Sequence, residues 1–233
     1  RLTMAVALTI LFAGFGLLLP WAMALYRRFQ VRGEERFPGW IGWPPFLHSM
    51  LAYILAFNLT FFIQELFLVL PKALVPSLKP TLFHNNHDWT GDAAIAELFQ
   101  GTGALAILIS GLAFAWLVSR QERPGLLPLW MAFHGLFQSL PQFVVGSIRA
   151  ENDMGRAYDY LGLGTIGETV LALAALAAIP VGGIWLGRQF VRSAWEGAPI
   201  ASRRTRFGYL LRIAGLPALA AIPVIILYRI PRE

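Results

Sequence analysis

Apolar positions in this chain come in long unbroken runs, not in the one-sided stripe of a soluble helix or the alternation of a half-buried strand. The runs cover roughly residues 2–26, 45–70, 93–118, 126–148, 164–187 and 207–228. Each reaches the length of about 20 residues that a helix needs to cross a bilayer core. The pattern predicts an all-α integral membrane protein, a bundle of about six transmembrane helices forming one polytopic domain over 1–233. The first run ends in Trp21 and Tyr26, side chains suited to a membrane interface, and lacks a small-residue cleavage site. It is therefore read as a span, and a start at Arg1 implies a trimmed or processed terminus. Trp40 and Trp43 mark the entry to the second run.

The polar breaks are short. Arg27–Arg36 is basic, and Ser119–Gly125 is a tight turn. Residues 71–92 form a loop with Pro71, Pro76, Pro80 and the polar run His84-Asn85-Asn86-His87-Asp88-Trp89. Asp92 is expected to cap the third span. Residues 149–156 form another polar loop, and Arg188–Arg206 is a basic stretch. Asp153 and Asp159 are candidate partners for a site on the outer side, with solvated loop charges as the more expected role.

Composition sharpens this picture. Charged residues are 14% of the chain and hydrophobic residues 57%, against about 25% charged in soluble domains. With no cysteine, disulfides, thiolate metal sites and a cysteine nucleophile are excluded. Lys72 and Lys79, the only lysines, fall beside prolines in the 71–92 loop, so no Schiff-base lysine is expected in mid-helix. The formal charge of +6 does not imply nucleic acid, because the arginines lie at span ends where they meet anionic headgroups. They are denser after spans one, three and five, which places both termini and the His84–His87 loop outside the cytoplasm.

Polar residues inside spans cost energy and so suggest function. Gln64 and Glu65, Glu97 and Gln100, Gln138 and Gln142, and Glu168 lie at similar depth in spans two to five. If these helices are neighbours, the side chains make a polar pocket opening outward, with Glu65, Glu97 and Glu168 as its catalytic candidates. Helical spacing puts His134, Gln138 and Gln142 on one stripe, and Pro141 frees a carbonyl one turn earlier. His84, His87 and Asp88 are candidate ligands for a divalent metal ion, since imidazole and carboxylate suit zinc, iron, copper or manganese. No His-Glu-x-x-His motif is present. Gly162-Leu163-Gly164-Thr165-Ile166-Gly167 spells a dinucleotide fingerprint, but no strand precedes it, so helix packing is the expected role of its glycines.

Gln64-Glu65-Leu66, the small-residue stretch Gly101-Thr102-Gly103-Ala104, and Pro141 followed by an acidic loop give spans two to four a layout that resembles membrane-embedded metalloproteases of the site-2 type. The paired histidines around the glutamate and an Asp-Gly motif after Pro141 are missing. The resemblance therefore implies a degenerate relative without that catalytic centre, and no catalytic residue is carried over.

Three functions remain open. The first is a membrane enzyme or metal-binding protein with an outward site. The second is a non-catalytic subunit bound to other membrane proteins in the bilayer. The third is a proton- or cation-linked transporter.

Overall fold

The computed structural model describes residues 2–11, 42–83, 86–198 and 200–229. The elements are helices α1 (Leu2–Leu11), α2 (Trp43–Ala73), strands β1 (Lys79–Leu82) and β2 (His87–Thr90), then α3 (Ile95–Ser119), α4 (Leu126–Ile148), α5 (Asp153–Tyr160), α6 (Gly164–Arg192) and α7 (Arg203–Leu210). A π-turn at Leu211–Gly215 leads into α8 (Leu216–Tyr228).

The distribution of side chains on α2 is inverted relative to a soluble helix. Ser49, Thr60, Glu65 and Lys72 are buried, while Leu47, Leu51, Leu55, Leu59, Phe62 and Phe67 are exposed. Such an apolar outer surface would be unfavourable in water and is favourable against lipid tails. Among the described residues, four helical segments are long and apolar enough to cross a membrane: Trp43–Ala73, Ile95–Ser119, Gly164–Arg192 and Arg203–Tyr228. The protein is thus a multi-pass helical membrane protein.

The count of six is not reproduced by apolarity alone. The expected first span, 2–26, lies mostly outside the described residues. The expected fourth, α4, is long enough at 23 residues but carries His134, Gln138, Ser139, Gln142 and Ser147. Its position explains that composition. α4 packs against α1, α2, α3, α5 and α6, so little of it faces lipid. Its closest neighbour is α3. A Cβ on Gly135 would lie 2.4 Å from the Gly111 Cα, so only paired glycines allow the two backbones to cross there.

The two loops between spans have structure of their own. Residues 79–90 form an antiparallel hairpin with Lys79 opposite Thr90 and Leu82 opposite His87. Gly91, at φ 104°, closes its stalk, where a Cβ would sit 1.9 Å from the Ser77 carbonyl oxygen. The polar segment after α4 becomes the short helix α5, capped by Asn152, whose side chain accepts from the Met154 N–H. Asp92 does not cap α3. The cap position is Ala94, without a side-chain bond, because the chain enters α3 through a turn that begins after the hairpin. Lys72 is likewise not a loop residue: α2 runs past Pro71, and the lysine sits in its last turn, fully buried. Gly162 and Gly164 have positive φ and meet nothing within 4 Å, so they form the turn from α5 to α6 and do not pack helices.

Candidate functional site

The C-terminal end of α2, the hairpin, the N-terminus of α3 and α5 come together at one end of the bundle. Strand alternation decides what the hairpin contributes. His87 and Trp89 face the bundle, while Asp88 and Thr90 face away. His87 Nδ1 lies 2.6 Å from Glu65 Oε2, and both side chains are largely buried, at 11% and 7% exposure. Asp88 accepts the Trp89 N–H at 2.8 Å and lies on the opposite hairpin face, so it cannot share an ion with His87. His84 is outside the described residues. Among the described residues, no group of three or more His, Asp or Glu side chains is placed to hold a metal ion.

Trp89 is the centre of a cation-rich shell. Its ring stacks 6.0 Å from His87 at an interplanar angle of 9°. Lys72 Nζ lies 4.5 Å from the Trp89 centroid and donates to the Leu68 carbonyl at 2.8 Å. The Arg156 guanidinium lies 5.3 Å from the same ring. Arg156 also grips Glu97 with two bonds, Nε to Oε2 and Nη2 to Oε1, the latter at 2.7 Å. Burial pushes the Asp153 carboxyl above its ordinary range. His87, Arg156 and Lys72 pull it back, and Glu65 adds to the rise. Glu65, Glu97 and Asp153 are thus offset by Lys72, Arg156 and, when protonated, His87.

A second polar feature runs inward from this cluster. Gln142 Nε2 donates to Gln64 Oε1 at 3.1 Å and to the Gln138 carbonyl at 2.9 Å. Gln138 Nε2 lies 3.0 Å from His134 Nδ1. Gln64 is admitted by Gly103, where a Cβ would lie 2.9 Å from the Gln64 carbonyl oxygen. The row ends at His134, ringed by Tyr53, Phe57, Trp130 and Phe133, with centroids 4.4 to 6.3 Å away. Trp130 Nε1 bonds Ser49 Oγ at 3.0 Å behind it.

The expected pocket is therefore assembled only in part. Glu65 and His87 meet, Gln64 meets Gln142, and Gln138 meets His134. Glu97 is committed to Arg156. Gln100 is buried at 1% exposure, and its amide atoms have no hydrogen-bond partner among the described residues. Glu168 stands apart: its carbonyl accepts from Ser147 Oγ at 2.7 Å. Its carboxylate and, above all, burial push the Tyr158 phenol above its ordinary range. Lys72, Trp89 and Arg156 were not singled out from sequence. Asp153 faces the cluster, as a partner of the outer site and not as a solvated loop charge. The spacing of Asp153 and Arg156 behind the Asn152 cap was the available signal, since it places both on one face of a short helix.

Comparison of the chain with known protein families, curated proteins and solved structures finds no match. The layout resembling site-2 type proteases has no support beyond the residues that suggested it.

Proposed function

We propose that this chain is a membrane-embedded enzyme whose acid–base centre is the His87–Glu65 pair at the hairpin end of the bundle. The observation that carries the reading is the 2.6 Å contact of an imidazole and a carboxylate from separate elements, both largely buried. An imidazole and a carboxylate in contact can pass a proton to and from a substrate, and the charges of Lys72, Arg156 and Glu97 set the field around the pair. In this reading α4 crosses the membrane as an inner helix screened from lipid by its neighbours. The first apolar run supplies a further span, giving about six. The arginine-rich loops face the cytoplasm and the hairpin end faces outward.

Transport is the weaker reading, because among the described residues the polar row is interrupted by the aromatic ring around His134, with the Trp130–Ser49 bond behind it. A metal-dependent version needs His84 to join His87. A subunit role would leave the charged cluster as a brace between the hairpin and the helices.

The test uses the purified full chain in nanodiscs, with Glu65→Gln and His87→Ala beside the wild type. A panel of ester, amide and phosphoester hydrolysis and double-bond isomerisation is run, with elemental analysis on each sample. The expected result is one wild-type activity that falls at least about 100-fold in both variants. Equal turnover in all three samples overturns the acid–base centre. Absence of turnover with a stoichiometric co-purifying protein favours the subunit reading.

A further inference from the structure

Among the described residues, two buried side chains along the inner face of the bundle have no hydrogen-bond partner: Thr60, at Oγ1, and Gln100, at both amide atoms. Their positions are related. On α2, residues 53, 57, 60 and 64 follow helical spacing along one face. Tyr53 and Phe57 on that face touch His134, and Gln64 bonds Gln142. Thr60 therefore lies between these two contacts, beside the His134–Gln138–Gln142 stripe of α4. On α3, Gln100, Gly103, Ala104, Ile107 and Gly111 are all buried on one face. Gly103 meets Gln64 and Gly111 meets Gly135, so that face closes the seam between α2 and α4 from the third side.

Thr60 is unusual in a further way. A helical serine or threonine that lacks another partner normally turns its hydroxyl back to a carbonyl three or four residues earlier. Thr102, Ser119, Ser139, Ser147 and Thr169 all do so. Thr60, at 0% exposure, does not. A buried hydroxyl and a buried amide left unpaired are costly, because each forfeits the bonds it makes to water in the unfolded chain. Native proteins avoid that cost by giving such groups a ligand or ordered water.

We propose that the α2–α3–α4 seam binds a short file of internal water. The file would be held by Gln100 and Thr60 and lined by Gln64, Gln138, Gln142 and His134. It enters at the hairpin end and is blind at the aromatic ring formed by Tyr53, Phe57, Trp130 and Phe133. It gives the hairpin-end centre an internal source of water and a route for protons to His134. The link to that centre rests on the proposed acid–base reading, but the hydration of the seam does not.

X-ray radiolytic footprinting of the full chain in nanodiscs reads this directly, because hydroxyl radicals formed from bound water label adjacent side chains. His134 should be labelled several-fold more than Phe190, an equally buried ring that packs beyond Trp130. The near-isosteric Thr60→Val should reduce labelling at His134 by at least half and lower the melting temperature, because it removes a bonded hydroxyl. Labelling of His134 no greater than that of Phe190 overturns the proposal. So does a Thr60→Val variant that melts higher than the wild type, the sign expected for removing a dry, unpaired hydroxyl. Retained labelling in a chain whose Glu65→Gln and His87→Ala variants are fully active would keep the water file and reject only the acid–base centre.

Discussion

Asp153 and Glu97 are both carboxylates of the hairpin end, yet their surroundings differ. Glu97 is held by a two-bond guanidinium clamp that is partly exposed, at 31% for Arg156 and 41% for Glu97. Solvent screening keeps such a pair to about 1 kcal/mol or less. Asp153 lacks a clamp of its own, and burial raises its pKa more than the nearby cations lower it. The folded state therefore favours its protonated form. That contribution is fully present below the unfolded aspartate pKa of about 3.9 and is lost as pH rises through the higher folded value. Asparagine does not titrate, so Asp153→Asn should gain stability relative to the wild type as pH rises from about 4 to 7. Melting temperatures of both proteins across that range test this. A difference that is flat, or that moves toward the wild type at neutral pH, would mean that Arg156 and Lys72 stabilise the charged form.

At the scale of elements, the α3–α4 crossing is the tightest joint. Gly135→Ala places a methyl carbon 2.4 Å from the Gly111 Cα and must push the helices apart. Overpacking of this kind costs about 1–3 kcal/mol. Gly187 on α6 meets nothing within 4 Å, so Gly187→Ala should be neutral or stabilising by up to about 1 kcal/mol. Thermal unfolding in detergent separates the two, and equal melting temperatures would remove the close-crossing account. The same elements show what was legible in the sequence. The apolar runs located α2, α3, α6 and the continuous segment from α7 to α8 within about five residues at each end, because lipid exposure writes itself as unbroken hydrophobicity. Gln64, Gln138, Gln142 and His134 were recognisable as a polar row because a bilayer makes each of them costly. The hairpin and α5 read as loops, since four-residue strands and an eight-residue helix carry too little periodicity. The contacts of His87 with Glu65 and of Arg156 with Glu97 join residues 22 and 59 positions apart. Only the packing of α5 and the hairpin onto α2 and α3 creates them.

For the whole molecule, the charges divide between the two ends of the bundle. Among the described residues, the end opposite the hairpin carries Arg120, Arg123, Arg188, Arg192, Arg203, Arg204 and Arg206, with Glu122 and Glu196 beside them. Arg192 also ties this end together, donating to the Gln121 carbonyl at 2.6 Å across the α3–α4 turn. The hairpin end mixes both signs within a few ångströms, and its cations are spent on Glu97 and Trp89. Cytoplasmic loops are enriched in Lys and Arg, so the arginine end should face the cytoplasm and the hairpin end the other side. The chain has no cysteine, so single cysteines can be introduced without background. Thr90→Cys and Glu122→Cys place a thiol on exposed positions of the hairpin and of the α3–α4 turn. In intact cells a membrane-impermeant maleimide should label Thr90→Cys and leave Glu122→Cys unlabelled until the membrane is opened. The reverse pattern would invert the protein and put the His87–Glu65 cluster on the cytoplasmic side, where its substrate would have to be sought. Labelling of both sites in intact cells would contradict the placement of the two ends on opposite membrane faces.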